Sequence, residues 1–224
     1  MSGIEFLVSV FFISFVGFTI IGYKNHVADW DGFFINVIDG WIRIYCRSFH
    51  RFTYQTIPVT EVGPTLLACN HLSGLDPFLI VAACRHPIRF MIAKEEYERF
   101  GLQWLFRAAG CIPVERSGRV EIAFNTTLTS LHKGEVVLLF PEGGINHTSK
   151  PLRKLKQGII KLAKMAEVPI TPLRVGGMQG KGHTLPAFVL PSESYLNVLP
   201  ELNCENKTDE EALTQLALLL SGES

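Results

Sequence analysis

The residues with the clearest chemical use stand in one short run, Asn70-His71-Leu72-Ser73-Gly74-Leu75-Asp76. A histidine followed five positions later by an aspartate can close a tight loop. The carboxylate then accepts from one ring nitrogen, fixes the tautomer and raises the basicity of the other nitrogen. The second nitrogen is free to take a proton from an alcohol. A plainer reading also fits, with Asp76 a helix N-cap and His71 an ordinary loop histidine. No Gly-x-Ser-x-Gly elbow occurs anywhere in the chain. Cys69 and Ser73 are nucleophile types nearby, but neither lies in a recognisable nucleophile motif.

Three further segments carry functional groups. Phe140-Pro141-Glu142-Gly143-Gly144 follows an apolar run, and its glycines allow close backbone approach to an oxyanion or phosphate. Gly110-Cys111-Ile112-Pro113-Val114-Glu115-Arg116 ends in a guanidinium suited to a phosphate. Val168-Pro169-Ile170-Thr171-Pro172-Leu173 is a proline-bracketed strand. Taken one at a time, each also fits a plain turn, a surface arginine or an edge strand.

Alternating elements must position these groups. Strands are expected at 57–62, 65–69, 88–93, 112–115, 136–140, 168–175 and 187–190. Helices are expected at 76–84, 97–109, 120–131 and 156–166. Asp76-Pro77 reads as a helix N-cap and first-turn pair, and Gly101 is a weak point in the 97–109 helix. Val136-Val137-Leu138-Leu139-Phe140 has the continuous apolar pattern of a strand buried on both faces. Thr208-Asp209-Glu210-Glu211 is a capping box that opens a C-terminal helix. The pattern defines an α/β domain over 55–224 with a central mixed sheet flanked by helices.

Residues 1–54 have a different character. From Phe6 to Tyr23 there is no charged side chain. As a helix that stretch is about 27 Å long, the lower end of a bilayer core. It can span, or tilt into one leaflet. It lacks the basic lead and small-residue cleavage site of a secretory signal. Lys24, Arg43, Arg47 and Arg51 follow it, which places the C-terminal side in the cytoplasm. The segment 30–52 repeats apolar residues at helical spacing, with Arg43, Arg47 and Arg51 on one face. It fits the headgroup boundary, or alternatively a helix packed on the α/β domain. On the first of these readings the two segments, within 1–54, are expected to form a membrane-binding helical pair.

Composition narrows the classes. The chain has 224 residues, 47% hydrophobic and 19% charged, with 21 basic against 21 acidic side chains. That excludes a disordered polyelectrolyte and argues against a nucleic-acid binder. The charge is nevertheless segregated: positions 148–186 hold eight basic residues and one acid, among them Lys150, Arg153 and Lys154. A basic stretch beside an apolar anchor suits anionic lipid or phosphate, and it also suits a solvated helix face. Five widely spaced cysteines without a CxxC argue for reduced thiols, not a disulfide framework or zinc site.

In order and spacing the four segments resemble the glycerolipid acyltransferases, the PlsC-like family that includes 1-acylglycerol-3-phosphate acyltransferases. The family pattern of N-H-x4-D, G-x-x-x-(I/V)-x-R, F-P-E-G-T-R-S and (V/I)-P-(I/V)-x-P stands here at 70–76, 110–116, 140–146 and 168–172. The resemblance covers about 55–195. It implies acyl transfer from acyl-CoA or acyl-carrier protein to the free hydroxyl of a lysolipid, most simply 1-acyl-sn-glycerol-3-phosphate giving phosphatidic acid. By the same resemblance His71 is the general base and Asp76 its orienting carboxylate. Arg116 meets the acceptor phosphate, and Glu142, Gly143 and Gly144 shape the acceptor pocket. The Gly143-Gly144 turn is also the candidate source of an oxyanion-binding N–H. No metal and no bound cofactor is implied, nor any nucleic-acid partner. The expected place is the cytoplasmic face of a membrane (the inner membrane in a bacterium), and the oligomeric state stays open. One position departs: Ile145 stands where the family's third motif has arginine. Lys150, Arg153 or Lys154 are then further candidates for the phosphate. The Glu-Gly-Gly-Ile-Asn run also resembles tafazzin-type transacylases, which leaves a lysophospholipid acyltransferase or transacylase of phospholipid remodelling as the alternative.

Overall fold

The computed structural model describes residues 3–59, 63–115, 118 and 120–222. Two N-terminal helices, α1 (Gly3–Asn25) and α2 (Phe33–Phe49), precede the sheet. The strands are β1 (Thr53–Tyr54), β2 (Thr65–Cys69), β3 (Ile88–Ala93), β4 (Ile112–Val114), β5 (Val136–Leu139), β6 (Ile170–Gly176) and β7 (Tyr195–Val198). The remaining helices are α3 (Asp76–Ala83), α4 (Lys94–Tyr97), α5 (Gln103–Ala108), α6 (Val120–His132), α7 (Gly158–Ala166), α8 (Leu185–Val189) and α9 (Asp209–Ser221).

The strands form one sheet in the order β1-β7-β6-β2-β5-β3-β4. All neighbours are parallel except β6 and β7, so the sheet is mixed. The apolar strands at its centre have no solvent face. Leu66 and Ala68 of β2, with Val137 and Leu139 of β5, pack under α6, α7 and α9. Leu67 and Cys69, with Val136 and Leu138, pack under α2, α3, α5 and α8. Successive side chains thus serve opposite layers, as the period of a strand requires.

Several expected elements differ. Residues 187–190 are not a strand: Pro186 begins a turn of helix in α8, where its missing N–H costs nothing. Residues 57–59 form no strand, and 60–62 lie outside the described residues. Of the expected 97–109 helix only Gln103–Ala108 forms, as α5; α4 ends at Tyr97, and between the two Gly101 takes φ +82°. The short strands β1 and β7 carry too little pattern to be recognised in advance.

α1 is exposed along nearly its whole length, including Phe6, Phe11, Phe12 and Ile13. It has 23 residues, long and apolar enough to cross a membrane. It runs antiparallel to α2, with Phe18 stacked on Trp41 at 4.4 Å and Tyr23 against Phe33. The helices touch backbone to backbone, because a Cβ at Gly40 would overlap the carbonyl of Gly22.

α2 belongs to the layer over the sheet. Arg43 is largely buried, paired with Asp39 at 2.7 Å. Its guanidinium also donates to the carbonyls of Ala82 (2.9 Å) and Cys84 (2.7 Å), at the C-terminal end of α3. Arg51 lies beyond the helix and pairs with Glu193 on the surface. The three arginines therefore do not form one headgroup-facing stripe.

Candidate active site

Parallel β2 and β5 end side by side, and both loops that carry the sequence motifs leave from that edge. Asn70 extends the pairing past the end of β2. Its side chain donates to the Val175 carbonyl and accepts from the Val175 N–H, at 3.0 and 2.9 Å. The chain then turns, and His71 is the first side chain beyond the sheet.

Asp76 is fully buried under this loop. Its Oδ2 accepts from His71 Nδ1 at 2.9 Å and from the backbone N–H groups of Leu72 and Ser73 at 2.6 and 2.9 Å. Its Oδ1 accepts from Ser73 Oγ at 2.9 Å. These partners replace the water that a buried carboxylate loses. Asp76 is thus the hub of the loop and not an N-cap; the residue preceding the helix is Leu75. Phe140 stacks on the imidazole, with ring centroids 3.9 Å apart. The ring is held by a hydrogen bond along one edge and an aromatic face on one side. With Nδ1–H donated to Asp76, the Nε2 lone pair is the ring's open group.

Glu142 joins the two motif loops. Its Oε1 accepts from the His71 N–H and its Oε2 from the Arg153 N–H, both at 2.8 Å. It is 2% exposed, and burial pushes its carboxyl above the usual range despite these donors. Asn146 closes the other side: its N–H donates to the His71 carbonyl at 2.7 Å. Its side chain donates to the Lys150 carbonyl and accepts from Thr148. Both carbonyl and N–H of His71 are therefore fixed by the third motif.

The third-motif turn depends on Gly143, at φ +72°. The Lys156 side chain lies across it, its Nζ 2.7 Å from where a Cβ would stand. Gly143 N–H donates to Phe140 O at 2.9 Å, so it is not a free oxyanion donor. Gly144 N–H, by contrast, makes no hydrogen bond among the described residues.

The other expected residues divide. Arg153 lies at the turn, donating to the carbonyls of Gly144 and Ile145 at 3.4 and 3.1 Å. Lys150 and Lys154 are exposed, and among the described residues neither ammonium makes a hydrogen bond or ion pair with the motif loops. Arg116 lies outside the described residues. Ser73 is buried, with its hydroxyl held between Asp76 and the Leu75 N–H. Cys69 is fully buried; burial, with the charges of Asp76 and Glu142, raises its thiol well above its ordinary value. Neither presents a nucleophile. Phe140 stands in the sequence as the first residue of its motif, but its stacking on His71 has no signal there, and neither has the placing of Lys156, fourteen positions after Glu142, across the turn.

The site is an oriented imidazole without a covalent nucleophile, on the C-terminal edge of a mixed α/β sheet. The chain belongs to the acyltransferase family, whose model matches residues 51–176. It is similar to a probable 1-acyl-sn-glycerol-3-phosphate acyltransferase of Mycoplasma genitalium, 30% identical over 53% of this chain and 46% of that one. It is also similar to an N-acylphosphatidylethanolamine synthase of Arabidopsis thaliana, 29% identical over 49% of this chain and 42% of that one. The chain spans about half the length of these curated relatives. Its fold matches the crystal structure of the 1-acyl-sn-glycerophosphate (LPA) acyltransferase, PlsC, from Thermotoga maritima. The TM-score is 0.64 at 17% identity, over 97% of this chain and 90% of that one.

Proposed function

We propose that the protein transfers an acyl chain from an acyl thioester, acyl-CoA or acyl-carrier protein, to the free hydroxyl of a lysolipid. The preferred acceptor is 1-acyl-sn-glycerol-3-phosphate. The observation that carries this is the His71 Nδ1–Asp76 Oδ2 bond at 2.9 Å, which leaves Nε2 as the ring's open nitrogen. The acceptor oxygen attacks the thioester carbonyl while its proton passes to His71 Nε2. The tetrahedral oxyanion meets the Gly144 N–H. Collapse breaks the C–S bond, and the leaving thiolate takes the proton from Nε2. An ester and a thiol result, with no acyl-enzyme.

Asp76 holds the ring and supports the transient imidazolium. Glu142 holds the turn against His71, and Arg116 and Arg153 supply cations for the acceptor phosphate. The apolar α1 supports residence at a membrane, with the α/β domain on the cytoplasmic face. Ile145 favours a second reading, an acceptor or whole-phospholipid donor bearing a headgroup, since an aliphatic side chain cannot grip a phosphate dianion.

The test is purified protein with labelled palmitoyl-CoA and four acceptors: lysophosphatidate, lysophosphatidylglycerol, lysophosphatidylethanolamine and lysophosphatidylcholine. Diacyl product chiefly from lysophosphatidate is expected, reduced at least ~10²-fold by His71→Ala. Product chiefly from the headgroup-bearing acceptors selects the second reading. No product from these acceptors or from a whole-phospholipid donor rejects both.

A further inference from the structure

Outside the N-terminal hairpin, and apart from single exposed residues such as Ile122, Met165 and Leu218, two segments each carry three exposed apolar side chains. Phe100, Leu102 and Trp104 lie on the segment that follows β3; Phe100 is fully exposed and Trp104 is 57% exposed. Leu185, Val189 and Leu190 lie on the segment that follows β6, with Leu185 at 71%. In the sheet order, β6 and β3 flank the pair β2–β5. All four strands are parallel, so all end at the edge where His71 and Glu142 sit. The two apolar segments therefore stand one on each side of the site.

They also share a face. Leu105 and Phe106, just after Trp104, and Ala187 and Phe188, between Leu185 and Val189, pack into the same core layer as α3. That layer includes α2. The 182–190 segment is fastened to the site: Gly182 N–H donates to the Leu72 carbonyl at 2.8 Å, and Tyr45 of α2 donates to the Phe188 carbonyl. The antiparallel hairpin places the exposed N-terminal half of α1 toward the end of α2 that carries Tyr45. A long apolar helix and two apolar rims thus converge around one edge.

We propose that segments 100–104 and 185–190 are a bilayer-facing rim, a second membrane contact besides α1 that seats the site edge in the headgroup boundary. Apolar groups this exposed, with a tryptophan among them, suit an interface where one side is hydrocarbon and the other wet. The exposed, apolar α1 beside them favours a bilayer over a protein partner, because α1 is itself long and apolar enough to cross a membrane. Seated in this way, the imidazole receives a lipid hydroxyl from the membrane surface, and the acceptor's chains stay in hydrocarbon.

The test is depth, and it requires no catalytic activity. All five native cysteines are buried, so single cysteines introduced by Phe100→Cys, Val189→Cys, Phe11→Cys and Met165→Cys can be labelled selectively with bimane. Each full-length protein is bound to phosphatidylcholine/phosphatidylglycerol vesicles containing lipids brominated on the acyl chain. Met165 is exposed on the opposite layer and serves as the aqueous control. Quenching at 100 and 189 comparable to that at 11, and several-fold above that at 165, is expected. Quenching at 11 alone, or at none of the four, overturns the proposal. Quenching at the rim with no acyl transfer to any acceptor leaves the rim standing and rejects the reaction.

Discussion

Arg43 closes the helix that Asp76 opens. The guanidinium binds the last carbonyls of α3, at Ala82 and Cys84, while Asp76 at the other end of the same helix holds the imidazole of His71. One helix of eight residues thus connects the hairpin to the chemistry. Arg43→Ala would strand Asp39, 2% exposed, as a buried carboxylate without its ion-pair partner. Removing one partner of a buried pair costs about 3 kcal/mol or more. Chemical unfolding in detergent should show that loss, and Arg43→Lys should recover only part of it, since one ammonium cannot serve Asp39 and two carbonyls together. An unchanged midpoint for Arg43→Ala would show that the pair holds nothing.

Glu142 gives a pH signature opposite to that of most acids. Burial raises its carboxyl above the unfolded value of about 4.3. The folded state therefore binds the proton more tightly than the unfolded state. The stability linked to that proton is full below the unfolded value and is lost as pH rises through the folded one. Glu142→Gln removes this titration. The unfolding free energy of the wild type minus that of Glu142→Gln should fall as pH rises from about 4 to about 7. A difference that rises over that window would mean the His71 and Arg153 donors outweigh burial.

Thiol chemistry should be silent in the folded protein. Burial pushes Cys46 and Cys111 up to about 12, and Cys69, Cys84 and Cys204 are also raised. The thiolate is the reactive form. Maleimide should label none of the five on the timescale of an activity assay and all five in denaturant. Acyl transfer should survive the treatment. Labelling of Cys69 with loss of activity would reopen a covalent nucleophile beside the histidine.

The site was legible in sequence to the extent that its geometry is local. His71 and Asp76 lie in one loop, so their spacing alone allows the contact that forms. Glu142 reaches His71 across 71 positions, and no periodicity announces such a bond. Asn146 is similar: in the sequence it only ends the third motif, and in the fold it fixes the His71 carbonyl. In the fold, strands buried on both faces declared themselves by unbroken apolar runs. The 187–190 segment did not, because Ala-Phe-Val-Leu after a proline fits a strand or a buried helical turn equally well, and the contact with Phe78 decides it. The arginines at 43, 47 and 51 shared a helical face in the pattern, yet α2 ends before the third. Spacing cannot say where a helix stops when no strong cap marks it.

Ile145 is the position where the acceptor's headgroup should be decided. It follows Gly144, the open donor of the turn, and its carbonyl already accepts from Arg153 at 3.1 Å. An arginine there would place a second guanidinium on the same turn. A charge-assisted contact with a phosphate contributes about 2 kcal/mol, roughly tenfold or more in kcat/KM. Ile145→Arg should therefore raise the preference for lysophosphatidate over lysophosphatidylglycerol by at least that factor, with the rate at saturating palmitoyl-CoA little changed. Arg153→Ala should shift the preference the other way, because it removes the cation already at the turn. If neither substitution moves the ratio, headgroup selection lies away from the third motif, and the weight passes to Arg116, whose variant should then alter it alone.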